Sequence, residues 1–273
     1  QISEGKEAWL KHCQRYGDGR IHGSVLTNAC VSGRCSHRSP NISAVPKVGQ
    51  PYGSECRALF HAPHGWRQVG CDASGLELRA LSSWLSYFDG GEYAKLVSTE
   101  DFDIHTHNAK LFGIYDGQGT IEKRIREQAK TLIYAVLYGA GPQKLGTIVA
   151  PSLSERKQKE IGYETIDTFY KNLPAIKKLK DKVDEKVTQK GHLIGIDGRH
   201  LQIRSRHTAL NQLLQSTGSL CVKKATCILY EDCKHNHLRW GIHYAFVAHI
   251  HDEIQALVKP QHVSLYKKLA IDC

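Results

Sequence analysis

Two aspartates at turning points of the chain are the first residues equipped for chemistry. Asp72 follows the run Trp66-Arg67-Gln68-Val69-Gly70-Cys71, and Asp252 lies between the apolar runs Ala245–Ile250 and Ile254–Val258. Aspartate is disfavoured inside strands and costly to bury unpaired, so carboxylates at strand ends call for an explanation. A structural one has Asp72 capping the next helix and Asp252 filling a solvated turn. A chemical one makes both of them hard oxygen ligands for Mg²⁺, with Glu253 concentrating further charge at the same tip. Two such ions about 3.5–4 Å apart can activate an attacking hydroxyl and stabilise a departing pyrophosphate.

A second set supplies the opposite charge. Arg126, Lys130, Tyr134 and Tyr138 recur every four residues and would share one face of a helix. Such a face can be a solvated stripe whose rings pack on a neighbour. It can equally hold a triphosphate on its cations and a base near its rings, because phosphoryl transfer relies on positioning and charge neutralisation. Arg124 is offset from the stripe. His105, in Asp103-Ile104-His105-Thr106, is either a phosphate donor or a helix-start residue. Asn211 and Gln215 have one-face helical spacing and could donate to bases, while Arg34, Arg57, Arg79, Arg199, Arg204 and Arg206 could contact phosphates or base edges.

These residues need a scaffold that brings distant segments together. Residues 66–71 predict a strand ending at Asp72, and Leu76, Leu78, Leu81, Trp84 and Leu85 predict an amphipathic helix after it. Helices are predicted over Ile121–Tyr138, ended by Gly139-Ala140-Gly141-Pro142, over Ser154–Tyr170, from Pro174 to Lys190, and over Leu210–Cys233. Asp197-Gly198 predicts a hairpin within Gly191–Arg204, and His251-Asp252-Glu253 predicts the tip of a second. The class is α+β: a helical insertion separates two contributions to one sheet.

Composition narrows the partners. The 273 residues carry 37 Lys and Arg against 27 Asp and Glu, a formal charge of +10 that favours a polyanion. No apolar run reaches the length of a membrane span, so no membrane partner is expected. The start, Gln1-Ile2-Ser3-Glu4-Gly5, has no signal-peptide pattern, and without an initiating Met the chain is expected to be a fragment or a processed product. Nine scattered cysteines without a CxxC pair fit a reducing, cytoplasmic compartment. Cys233, His235 and His237 raise zinc as a question, but no fourth ligand is evident.

The motifs now coincide with a known pattern. Asp72 through Arg79 (DASGLELR), Arg126 through Tyr138 (REQAKTLIYAVLY) and His251-Asp252-Glu253 resemble, in order, the motifs of the C-terminal polymerase region of family A DNA polymerases, particularly bacteriophage replicative enzymes. Gly33-Arg34 with His37 and Pro40-Asn41, Asp103–Thr106, and Asn211–Ser216 add to the resemblance. It implies a right-hand fold: a palm sheet from residues 1–84 and 207–273, and a largely helical fingers insertion over 85–206. A thumb and any exonuclease would lie outside this sequence. The implied activity is DNA-templated transfer of deoxynucleotides to a primer 3′-hydroxyl, with two Mg²⁺ ions as cofactors. Primer-template DNA and deoxynucleoside triphosphates are the implied partners; no processivity partner follows. A phage-encoded chain would act in its host's cytoplasm.

The resemblance also implies roles. Asp72, Asp252 and the Ala73 carbonyl would hold the metal ions, tuned by Glu253. Arg126, Lys130 and His105 would bind the triphosphate, with Lys130 a proton donor to pyrophosphate. Glu77 would block the sugar 2′-hydroxyl, Tyr134 would read the sugar 3′ position, and Tyr138 would pack near the template. Arg34, Asn211 and Gln215 would monitor the minor groove, and His251 would support the primer terminus. A single-subunit RNA polymerase-like enzyme is the alternative that Glu77 argues against. A non-catalytic DNA-binding fragment is the alternative that the paired aspartates argue against, and a metal nuclease fits the triphosphate-type helix less well.

Overall fold

The computed structural model describes residues 9–273; the reading of Gln1–Gly5 lies outside them. Helix α1 (Trp9–Tyr16) precedes a short ribbon of β1 (Ser24–Leu26) and β2 (Ser36–Arg38), then α2 (Gly53–Ala58) and β3 (Arg67–Asp72). A helical stretch follows: α3 (Leu76–Asp89), α4 (Glu92–Ser98), α5 (Ile104–Leu111), α6 (Lys123–Leu137), α7 (Pro142–Val149), α8 (Glu155–Asn172) and α9 (Pro174–Lys190). The hairpin β4 (His192–Ile194) and β5 (His200–Gln202) leads to the 27-residue α10 (Ala209–His235). The chain ends in β6 (Tyr244–Ile250), β7 (Glu253–Val258) and α11 (Val263–Asp272). No described helix is long and apolar enough to cross a membrane.

The chain divides into two compact units, one formed by residues up to Ser74 with Gly218–Cys273, the other by Gly75–Thr217. The first is built on a three-stranded antiparallel sheet ordered β3-β7-β6. A strand before the helical stretch therefore pairs with one after it, the arrangement expected of an α+β chain with an insertion. Alternation along β7 buries Ile254, Ala256 and Val258. Val69, Tyr244, Ala256 and Val258 from the sheet pack with Leu229 and Cys233 of α10 and Tyr266 and Ala270 of α11. Between Phe246 and Ala248 the β6–β7 register slips, leaving Val247 as a bulge.

The second unit is helical, with one small ribbon. On α6, Ala129, Leu132, Ile133, Val136 and Leu137 are buried, whereas Lys130 and Tyr138 stay exposed and Arg126 and Tyr134 are half-buried. The polar stripe therefore lies off the core-facing side, as its four-residue spacing requires. The sequence did not announce α4 and α7, and it marked α5 only by the helix-start reading of His105. They are short, and their apolar periodicity is too brief to separate from loop. Their burial comes from neighbours, as in the stack of Phe112 on Phe169 at 4.1 Å between ring centroids.

The tightest contact in this unit joins α7 to α8 through glycines. A Cβ on Gly146 would fall 1.6 Å from the Gln158 carbonyl oxygen, and one on Gly162 would fall 1.8 Å from that of Pro142. Both obstacles are backbone, so a side chain must push the helices apart. Gly146→Ala is expected to cost about 2–3 kcal/mol and lower the thermal midpoint by about 5 °C. Scanning calorimetry on the parent and variant checks it; an unchanged midpoint would mean that the helices separate freely.

Candidate functional site

The carboxylates meet because of strand register. β3 and β7 pair antiparallel with Asp72 opposite Glu253, and the Ala73 N–H donates to the Asp252 carbonyl at 3.2 Å. Asp252 and His251 form the tip of the β6–β7 hairpin, where His251 takes a left-handed φ of 58°. That conformation is uncommon for a residue with a side chain, and such strain concentrates at functional sites. Asp72 does not cap α3: the N-cap is Gly75 at φ 62°, with no side-chain cap hydrogen bond. The structural explanation for Asp72 therefore fails.

Electrostatics mark the same place. Partial burial pushes the Asp72 carboxyl above its ordinary range, and the charges of Asp252 and Glu253 push it in the same direction. Three carboxylates thus converge at one sheet end, an arrangement that a divalent cation would relieve. Among the described residues, no group of three or more His, Cys, Asp or Glu side chains is gathered as a metal cage. Cys233, the thiol that raised zinc as a question, is fully buried in the core, where burial pushes it up to about 11.

Sequence reasoning missed the residues that hold Glu253. The Gln255 amide N–H donates to the Glu253 carboxylate, and its carbonyl oxygen accepts from Gln68 Nε2 at 2.9 Å across the strands. Gly70 makes room for this bridge, since a Cβ there would lie 2.6 Å from Gln255 Nε2. A glycine inside a strand is the signal that could have pointed to it. Near Arg34, Lys223 donates to the carbonyls of Thr27 and Gly33, and His37 Nε2 bonds the His249 carbonyl oxygen at 2.7 Å. These contacts fix the loop before Arg34 and tie β2 to the strand that leads to His251.

In the helical unit, α5 and α6 bring His105, Arg126 and Lys130 together. Asp103 caps α5 by accepting from the His105 N–H at 3.1 Å, and it also receives Arg126 Nε at 2.7 Å and Nη2 at 3.0 Å. Burial raises the Asp103 carboxyl, but hydrogen bonds from Arg126 and Thr106 and the Arg126 charge outweigh it and hold the group at about 2. Desolvation, then the charges of Arg126 and Lys130, push the His105 imidazole below its ordinary range, which favours its neutral form. Its Nδ1 is buried without a partner among the described residues. Farther along, the Tyr138 hydroxyl donates to Glu77 at 3.0 Å, and the Tyr134 and Tyr138 rings lie 6.4 Å apart. Asn211 is buried on α10, with Gln215 half-buried one turn later.

The Asp103–Arg126 pair gives a pH signature. Because the folded carboxyl titrates below its ordinary 3.8, its contribution is complete above that value and is lost as pH falls through about 2. Asp103→Asn keeps a good cap but removes the charge and one of the two oxygens that accept from Arg126. The variant is expected to be less stable by about 0.5–1 kcal/mol at pH 7, as for a partly exposed pair, and the gap should close between pH 4 and 2. Urea midpoints across that range measure it. A gap that persists at pH 2 would assign the effect to something other than the ion pair.

The chain is similar to known proteins along most of its length. The family model described as DNA polymerase family A matches residues 3–273. The DNA-directed DNA polymerase of Enterobacteria phage T3 is 38% identical over 291 residues, covering 97% of this chain and 38% of that protein. That of Escherichia phage T7 is 37% identical, with the same coverage of both. The POL domain of Pol1 from M. smegmatis, solved in complex with DNA primer-template and dNTP, has the same fold at a TM-score of 0.75 and 18% identity. It covers 96% of this chain and 46% of that one. The chain thus spans less than two fifths of the length of its phage relatives. Its matching family model, its phage relatives and its fold agree: this chain belongs to DNA polymerase family A.

Proposed function

We propose that this chain is the catalytic part of a DNA-templated DNA polymerase, which adds deoxynucleotides to a primer 3′-hydroxyl and releases pyrophosphate. The observation that carries the reading is the convergence of Asp72, Asp252 and Glu253 at one sheet end, with the Asp72 carboxyl raised by partial burial and by its acidic neighbours. Family membership supports it. The three-stranded unit is then the palm, and Gly75–Thr217 holds the fingers.

The donor set suits Mg²⁺. Two carboxylates and the Ala73 carbonyl offer hard oxygens without a closed cage, and Mg²⁺ is commonly held by one or two carboxylates plus substrate phosphates. The chemistry supplied by bound Mg²⁺ is activation of the primer hydroxyl and neutralisation of the departing pyrophosphate. Asp72 and Asp252 would hold the ions, and Gln255 orients Glu253 at the same sheet end. Lys130, exposed on α6, meets the triphosphate as a free-moving charge and gives a proton to pyrophosphate. Arg126 reaches the same phosphates from a fixed fork set by Asp103, and neutral His105 offers a hydrogen bond without adding charge. Glu77, held by the Tyr138 hydroxyl, closes the pocket against a 2′-hydroxyl, while Tyr134 faces the sugar 3′ position. Arg34, Asn211 and Gln215 donate to minor-groove acceptors common to all correct pairs, and His251 steadies the primer end.

Primer extension with each deoxynucleotide and Mg²⁺ tests the reading. Template-directed extension is expected from the parent, and Asp72→Asn or Asp252→Asn should reduce it at least about 10³-fold while DNA binding is largely kept. Equal extension by the aspartate variants would remove the metal mechanism. Glu77→Ala should bring the efficiencies for matched deoxyribonucleotides and ribonucleotides closer together. An unchanged ratio would return the RNA polymerase-like alternative to first place.

A further inference from the structure

Away from these residues, the end of α10 and the start of β6 enclose a recess of about 520 Å³. Its walls are the rings of Tyr230, Trp240 and Tyr244, its rim carries Lys234, His237 and Arg239, and Leu238 completes the lining. Trp240 is 49% exposed and Tyr230 is 41% exposed. We propose that this recess binds an unpaired nucleotide of single-stranded DNA, with the base stacked on Trp240 and Tyr230 and the phosphate held by Arg239 and Lys234.

The recess is built before any ligand arrives. His237 ends α10 in a left-handed conformation at φ 61°, its N–H donating to the Lys234 carbonyl at 3.0 Å. The Leu238 N–H reaches the Cys233 carbonyl at 2.8 Å, and the Leu238 side chain is buried. This is the double hydrogen-bond closure of a helix end, here with His in the place glycine usually takes. The Arg239 N–H donates to His243 Nδ1 at 3.1 Å, and the Gly241 N–H to the Tyr244 carbonyl at 2.7 Å. Trp240 packs edge-on against Phe246 at 5.0 Å and Tyr244 at 5.5 Å, and tilted against Tyr230 at 6.2 Å. Its ring is therefore held rigid while half of it meets solvent. A fixed aromatic loses little entropy when a base stacks on it.

Charge points the same way. Glu231 and Asp232 share the last turns of α10 but do not line the recess, and Glu231 stands 3.8 Å from Lys234. The Arg239 guanidinium has no carboxylate partner among the described residues. Aromatic faces beside exposed cations are the combination that single strands use, because every base has a π-face and every linkage a phosphate. An acidic peptide is the competing ligand. Edge strand β6 would be its natural rail, but the bulge at Val247 breaks the ladder that strand addition needs. The inference does not depend on catalysis.

The test is fluorescence anisotropy of labelled octathymidylate with this chain in EDTA, where metal-dependent engagement is absent. Trp240→Ala is expected to weaken binding by about tenfold, and Trp240→Phe to keep most of it. Lys234→Ala with Arg239→Ala should reduce the slope of log affinity against log salt by about 1.4, the value for two phosphate contacts on a single strand. Lys157→Ala with Lys159→Ala, which removes two exposed cations of α8 outside both the recess and the proposed polymerising site, should leave these titrations unchanged and so separates the recess from general positive charge. Superimposable curves for parent and recess variants would overturn the proposal. So would an acidic aromatic peptide that binds the parent and is lost in the variants while octathymidylate is unaffected. Should Trp240→Ala fail to fold, the exposed Lys234 and Arg239 variants decide through the salt slope.

Discussion

The interaction on which the structure depends is the antiparallel pairing of β3 with β7. It joins segments far apart in the chain; the Gln68–Gln255 bridge across these strands spans 187 residues. Register is unforgiving in such a pair. A slip of one residue would turn Val69 and Ala256 out of the core and move Asp72 away from Glu253. The apolar packing of α10 and α11 on the sheet is therefore what holds like charges together. Burial of the sheet's inner face offsets a repulsion that the site itself creates.

The helical unit solves a different problem, that of presenting cations without letting them wander. Arg126 is pinned by both oxygens of Asp103, which at the same time starts α5. Lys130, one turn on, is exposed on the same stripe. One guanidinium is thus aimed by the fold, and one ammonium keeps its rotamer freedom. Gly146 and Gly162 let α7 and α8 approach to backbone contact, a packing that no side chain at either position would permit. Similar logic holds the sheet end, where Gln255 fixes Glu253 and Lys223 fixes the loop before Arg34.

Features that rest on long periodicity or strong breakers were legible in the sequence. The long helices α6, α8, α9 and α10, both hairpins and the strand into Asp72 lie where apolar spacing, Pro174, Asp197-Gly198 and the acidic tip predict them. The α+β class with an inserted helical stretch follows from that order. Short helices such as α4 and α7 were not legible, because one or two turns carry too little pattern and owe their stability to tertiary contacts. The candidate site was legible in its charged residues but not in their supports. Gln255, Gln68, Lys223 and the aim of Asp103 at Arg126 act through distant partners, and no local pattern announces a partner beyond the next turn. The capping explanation for Asp72 could be dismissed only once Gly75 was seen to begin α3.

The sheet's topology also sets an order of assembly. The β6–β7 hairpin closes locally through His251 and Asp252, whereas β3 must travel across the whole inserted stretch to reach β7. Loop closure over such a span is entropically costly and slow unless the intervening chain has already condensed. Asp252 and Glu253 are thus held on the local hairpin early, and Asp72 joins them when the third strand docks. The repulsion between carboxylates is met at that last step, on top of the closure entropy. The burial of Val69 against Ala256 and Val258, gained when β3 docks, is what must outweigh both.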